Sequence, residues 1–143
     1  MASSAASDAV GLGQAMIVAG IGCRKGASAA DISAAIEDAL NRAGLAAHAL
    51  DLIAAPEFKR GEQGAASAAA ALGVPLIFVG KAELEAAGSR TQTSSKRVLS
   101  LTGVPSVAEA AALAVGGPAA RLLVPRTIVG IATCALAVSE ERA

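Results

Sequence analysis

Seven residues, Gly20-Ile21-Gly22-Cys23-Arg24-Lys25-Gly26, bring together three glycines, a thiol and two adjacent cations. Glycine lets backbone amides come close to an anion, and the neighbouring cations add full charge. The stretch can therefore cradle a phosphate or a carboxylate. It is not a Walker A loop, which ends in Lys-Ser/Thr, and its glycines are spaced one residue too widely for the dinucleotide fingerprint. The plainer alternative is a tight glycine turn with solvated cations. Cys23 stands beside Arg24 and Lys25 near a helix start, a setting that lowers a thiol pKa and suits a nucleophile. Against that, no histidine lies near it in sequence to act as base, and small packed cysteines are common.

Cationic pairs recur at Lys59-Arg60 and Lys96-Arg97. If the preceding strands run parallel, at least Arg24-Lys25 and Lys59-Arg60 gather on one rim. A basic rim on a neutral protein suits a small ligand with several carboxylates or phosphates better than a long polyanion. Ordinary surface charge is the alternative, above all for Lys96-Arg97. Glu62 and Glu109 are the candidates for a general base or a ligand partner, and no fuller catalytic set stands out. Each also has a structural explanation. Glu62 suits the positive end of a helix, and Glu109 completes a capping box with Ser106. His48 has no acidic or cysteine partner in pattern, and Cys134 lies in an apolar run and reads as packing. Two cysteines and one histidine are too few and too scattered for zinc, so no metal or other cofactor is expected.

The elements that must position these groups follow from periodicity. Met16 to Ile21 predicts a buried first strand. Ser28-Ala29-Ala30-Asp31 resembles a capping box, and Ile32, Ile36, Leu40 and Ala43 then share one helical face that ends at Gly44. His48 to Ala54 predicts a second strand and Glu62 to Leu72 an alanine-rich helix. A third strand over Pro75 to Val79 and a short helix over Lys81 to Ala87 follow. The segment Gly88 to Lys96 has no periodicity and reads as a mobile loop. A helix opens at Ser106 and breaks at Gly116-Gly117-Pro118. Apolar runs over Arg121–Val124 and Thr127–Ala135, separated by Pro125-Arg126, predict a terminal hairpin. The fold class is α/β: a three-layer sandwich, mainly parallel in its central sheet, with an antiparallel C-terminal edge hairpin. No internal repeat is seen.

Composition bounds the partners. The chain has 143 residues, enough for one domain over residues 16–138 between an N-terminal tail (1–15) and a short C-terminal tail (139–143). Twelve basic and twelve acidic residues cancel, so no global field favours nucleic acid or a membrane. There are 38 alanines but only two phenylalanines and no Trp or Tyr, which suits close helix–sheet packing and offers little surface for stacking bases. No run reaches the roughly 18 apolar residues of a membrane helix. The first 15 residues lack the basic start and hydrophobic block of a secretory signal. Free thiols and a cytoplasmic location are expected.

Three stretches, "GIGCRKGAS", "KRGEQGAASAAAALGVPLIFV" and "TGVPSVAEAAALAVGG" followed by "RLLVPRTIVGIATCALA", resemble the CobE proteins and the C-terminal domain of CbiG, in cobalamin biosynthesis. The resemblance runs from Met16 to Val138 with its motifs in order. It implies an anionic precorrin, a tetrapyrrole intermediate, as ligand, with other cobalamin-pathway enzymes as further partners. The matching positions are Gly22, Cys23, Arg24, Lys25 and Ser28, then Lys59 and Glu62, then Thr102, Gly103, Glu109 and Thr133. Two readings stay open. One is an accessory protein that binds, protects or passes on a precorrin. The other is a CbiG-like hydrolase of a precorrin lactone, with Glu62 or Glu109 activating water; this chain has no counterpart of the larger N-terminal part of CbiG. A nucleotide bound at the glycine loop is a third, weaker reading.

Overall fold

Short apolar runs alternating with helical periodicity dictate strands that pair at the centre and helices that cover them. The computed structural model describes residues 15–92 and 106–139. In chain order these form β1 (Ile17–Cys23), α1 (Ala29–Arg42), β2 (Leu52–Pro56), α2 (Gln63–Leu72) and β3 (Leu76–Val79). After them come α3 (Lys81–Gly88), α4 (Val107–Gly116), β4 (Arg121–Val129) and β5 (Ala132–Val138). Short 3-10 turns occupy Ala47–Ala49 and Glu57–Lys59. The strand order is β3-β2-β1-β5-β4. β1 pairs in parallel with β2, and β2 with β3, while β5 is antiparallel to both β1 and β4. Four strands therefore point one way and β5 runs back between two of them. This is the expected three-layer α/β sandwich with its antiparallel C-terminal pair.

Alternation along β1 sorts its side chains between two cores. Ala19 and Ile21 join Ile32, Ile36 and Leu40 of α1 and Ala65 and Ala68 of α2 on one face. Val18 joins Leu84 of α3 and Ala110 to Leu113 of α4 on the other. Small residues set the spacing of this second layer. A Cβ at Gly20 would run into the carbonyl oxygen of Ala108 and come within 2.6 Å of the Ala112 amide. α4 thus lies directly on the β1 backbone. α1 begins as its sequence predicts. Ser28 Oγ accepts from the Asp31 amide at 3.1 Å, and Asp31 returns the bond by accepting from the Ser28 amide at 2.9 Å.

Four expectations need correction. β1 runs on through Gly20, Gly22 and Cys23, because each pairs with β5 in an unbroken ladder from Ile17 to Cys23. The second strand starts at Leu52, since residues 47–49 form a 3-10 turn with His48 exposed. The hairpin turns at Gly130-Ile131, with Gly130 at φ 62°, and not at Pro125-Arg126. Those two residues sit inside β4, at a register shift on the sheet edge where a missing or diverted amide breaks no central ladder. Finally, residues 88–92, the first part of the supposed mobile loop, are held in place. The Arg90 guanidinium donates to the carbonyls of Leu113, Gly117, Pro118 and Ala120 at 3.2–3.4 Å, where α4 ends. Cations belong at such carboxyl ends. Residues 93–96 of that loop, Lys96-Arg97, Thr102 and Gly103 lie outside the described residues. Among the described residues no helix is long and apolar enough to cross a membrane.

Candidate ligand-binding site

Parallel strands deliver their carboxyl ends to one rim, and the helices that follow begin there. At the end of β1 the chain turns through Arg24-Lys25-Gly26-Ala27, closed by the Ala27 amide donating to the Arg24 carbonyl at 3.2 Å. Gly26 takes φ 87° at the third position, a conformation that a β-turn of this kind demands and that side chains resist. At the end of β2, Pro56 leads into the 3-10 turn that carries Lys59, and Glu62 stands at the N-cap of α2.

Glu62 joins these two rim segments. Its carboxylate accepts from Lys59 Nζ at 3.0 Å and from the Gly26 amide at 3.1 Å, and makes no bond to the start of its own helix. The lysine ammonium first, and the Gly26 amide second, hold the Glu62 pKa below the usual carboxylate range. Such a carboxylate stays charged and is a weak base. Gly64 permits the approach: a Cβ there would strike the Ala27 carbonyl oxygen and sit 3.1 Å from Ile32 Cδ1. Neither this glycine nor the Glu62–Gly26 link was evident from spacing; only the tertiary contact between α2 and the 24–27 turn defines them.

Between the two segments lies a small hollow, lined by Ile21, Cys23, Ala55, Pro56, Lys59 and Glu62 among others. Cys23 faces it as a half-buried free thiol. Burial pushes the Cys23 pKa up, more than Lys59 pulls it down, and Glu62 adds to the rise. The activating effect expected from Arg24 and Lys25 is not what governs it, because both side chains point to solvent. Cys134, also free, is packed in β5 with its pKa raised by desolvation.

The candidate residues divide into three places. Cys23, Arg24, Lys25, Lys59 and Glu62 meet at the rim, with Ser28 nearby at the start of α1, its hydroxyl engaged in the helix cap. Gly22 and Thr133 sit at the same end but on the α4 side, where Thr133 Oγ1 donates to the Gly22 carbonyl at 3.1 Å. A Cβ at Gly22 would come 2.9 Å from that hydroxyl. Gly20 therefore serves the close approach of α4 and Gly22 a contact within the sheet, and only Gly26 of the three belongs to a turn. Glu109 lies elsewhere. It is fully buried in α4, and its carboxylate accepts from the backbone amides of Gln92 at 2.6 Å and Arg126 at 2.8 Å. A base must reach its proton, and this one is not among the residues lining the hollow. Among the described residues, Arg24 and Lys25 enter no ion pair, whereas Lys59 is matched with Glu62 and Arg60 with Glu57 at 2.7 Å.

Comparison with known proteins covers almost all of this architecture. The family model for the C-terminus of cobalamin synthesis protein G matches residues 17–137. Protein CobE from Sinorhizobium sp is 38% identical over 121 residues, spanning 85% of this chain and 79% of the relative. The crystal structure of CobE, described as a protein from the cobalamin (vitamin B12) biosynthetic pathway, superposes with a TM-score of 0.83 at 36% identity. That match covers 90% of this chain and 94% of CobE. The crystal structure of cobalamin biosynthesis protein chiG from Agrobacterium tumefaciens is 44% identical with a TM-score of 0.70, covering 87% and 98% of the two chains.

Proposed function

Since the chain belongs to the cobalamin synthesis G C-terminal family of cobalamin biosynthesis proteins, we propose that it binds an anionic precorrin intermediate and holds it or passes it to another pathway enzyme. The observation that carries this reading is the pair of solvent-facing cations, Arg24 and Lys25, without ion partners among the described residues and set beside the hollow at the strand ends. A precorrin carries acetate and propionate arms around a large ring. Its ring is far larger than this small hollow, since pockets that enclose even a drug-sized ligand run to roughly 300–1,000 Å³. The ring accordingly lies across the rim, with its carboxylate arms on Arg24 and Lys25.

The hydrolytic alternative has less support. Glu62 is held by a lysine and an amide that lower its basicity, and Glu109 is buried against two backbone amides. Binding without chemistry needs neither as a base.

Purified protein mixed with precorrin intermediates is expected to co-elute with them as a coloured complex on gel filtration at micromolar concentration. The double variant Arg24→Ala/Lys25→Ala is expected to lose at least about tenfold in affinity, as for two charge-assisted contacts. It should melt as the wild type does, because exposed cations contribute little to stability. Absence of any complex with wild type, or equal affinity in the double variant, would refute the assignment. Release of acetaldehyde or a mass change in the ligand would favour the hydrolase.

A further inference from the structure

The scarcity of aromatic residues leaves open how such a rim could hold the face of a macrocycle and not only its arms. Five large apolar side chains are exposed among the described residues: Met16, Phe58, Ile77, Ile128 and Ile131. Met16 precedes β1 at the opposite end of the sheet, and Ile77 and Ile128 lie within the two edge strands. Phe58 and Ile131 are at the carboxyl rim, one beyond the end of β2 and the other in the β4–β5 turn.

Strand order sets their relation to the free cations. β2 lies directly beside β1, their ladder ending at Gly20 and Ala54, so the turn that carries Phe58 leaves the sheet next to the turn that carries Arg24. Cys23 pairs with Ala132, and the Arg24 amide continues that ladder by donating to the Ile131 carbonyl at 3.0 Å. Phe58, Arg24 and Ile131 thus stand at the ends of three neighbouring strands, β2, β1 and β5, with the cation on the central one.

Phe58 stands exposed on an ordered turn. Its turn is clamped on one side by Arg60 with Glu57 at 2.7 Å and on the other by Lys59 with Glu62 at 3.0 Å. The chain's second phenylalanine, Phe78, is covered by the Arg60 guanidinium at 4.3 Å from the ring centre. Phe58 is 59% exposed and Ile131 37%. Isolated exposed apolar residues are common on any surface. Two of them on the strand ends either side of an unpaired arginine, at the rim of the sheet assigned above to the ligand, form an alternation of apolar and cationic points that matches an apolar ring bordered by carboxylates.

We propose that Phe58 and Ile131 are the contacts for the macrocycle face, with Arg24 between them holding a carboxylate arm; the assignment rests on the tetrapyrrole reading above. Phe58 is then a binding residue that discriminates a macrocycle from an equally charged ligand without one.

Fluorescence titration with uroporphyrin I, an octacarboxylate macrocycle, tests this on the full chain. Phe58→Ala is expected to weaken binding about tenfold, as loss of an aromatic stacking contact does. Adding Ile131→Ala should weaken it further, and neither change should alter the dependence of affinity on salt. Phe58→Tyr should return within about twofold of wild type, and Arg24→Ala/Lys25→Ala should weaken binding and flatten its salt dependence. Both apolar positions are exposed, so the variants should melt as wild type does. If Phe58→Ala/Ile131→Ala binds within twofold of wild type while the cation variant is weakened, the ring contact is refuted and the anion site stands. If wild type binds no uroporphyrin at micromolar concentration, both fall.

Discussion

Cys23 is the natural reporter for the hollow. Cys134 is wholly buried, so a thiol reagent acting on the native protein reads Cys23. Its raised pKa leaves less thiolate at any given pH than a free cysteine has, and thiolate is the reactive form. Iodoacetamide labelling at pH 8 should therefore run severalfold slower than for glutathione, and its pH profile should lie to the alkaline side. Lys59→Met removes the charge that favours the thiolate and should slow labelling further. Glu62→Gln removes the opposing charge and should speed it. A profile that coincides with glutathione would contradict the burial assigned here. The same residues show what sequence spacing conveys about a site. Adjacent Arg24 and Lys25 looked like the activators of the thiol. The effective cation is Lys59, 36 positions away in the chain, and that proximity exists only once β1 and β2 pair.

At the scale of elements, two glycines of one short stretch do different jobs, and stability separates them. Gly20→Ala pushes a methyl group into the backbone of α4, which cannot yield as a side chain can, and should cost about 3 kcal/mol or more. Gly26→Ala meets no neighbour within 4 Å and pays only for its φ of 87°, about 1–2 kcal/mol. Urea denaturation of the two variants should give that order; the reverse would show that α4 does not rest on β1. Periodicity located every helix described here, because Ile32, Ile36 and Leu40 or the capping residues Ser28 and Ser106 mark a face and a start in the sequence itself. It misplaced the hairpin turn. Pro125 resembles a breaker, but on an edge strand it needs no ladder partner, and the Arg126 amide goes to Glu109 instead. Arg90 was equally illegible, since its four carbonyl acceptors come from a helix end more than twenty residues further on.

At the scale of the whole molecule, Glu109 ties together three parts through one buried carboxylate: the turn after α3, the first turn of α4 and the edge strand β4. Glu109→Gln keeps the shape but turns one acceptor into a donor facing an amide, and should cost about 2–3 kcal/mol by thermal or chemical melting. Below its melting point the variant should bind uroporphyrin I as wild type does. Weakened binding in the folded variant would restore Glu109 to the ligand site. The topology carries a further implication. β5, the last of these five strands in chain order, fills the place between β1 and β4, and its partner β1 is separated from it by more than a hundred residues. A ribosome that has released β1 to β4 exposes a sheet with a gap at its middle, so the nascent protein cannot close its hydrophobic layers or assemble the ligand rim until the final hairpin emerges.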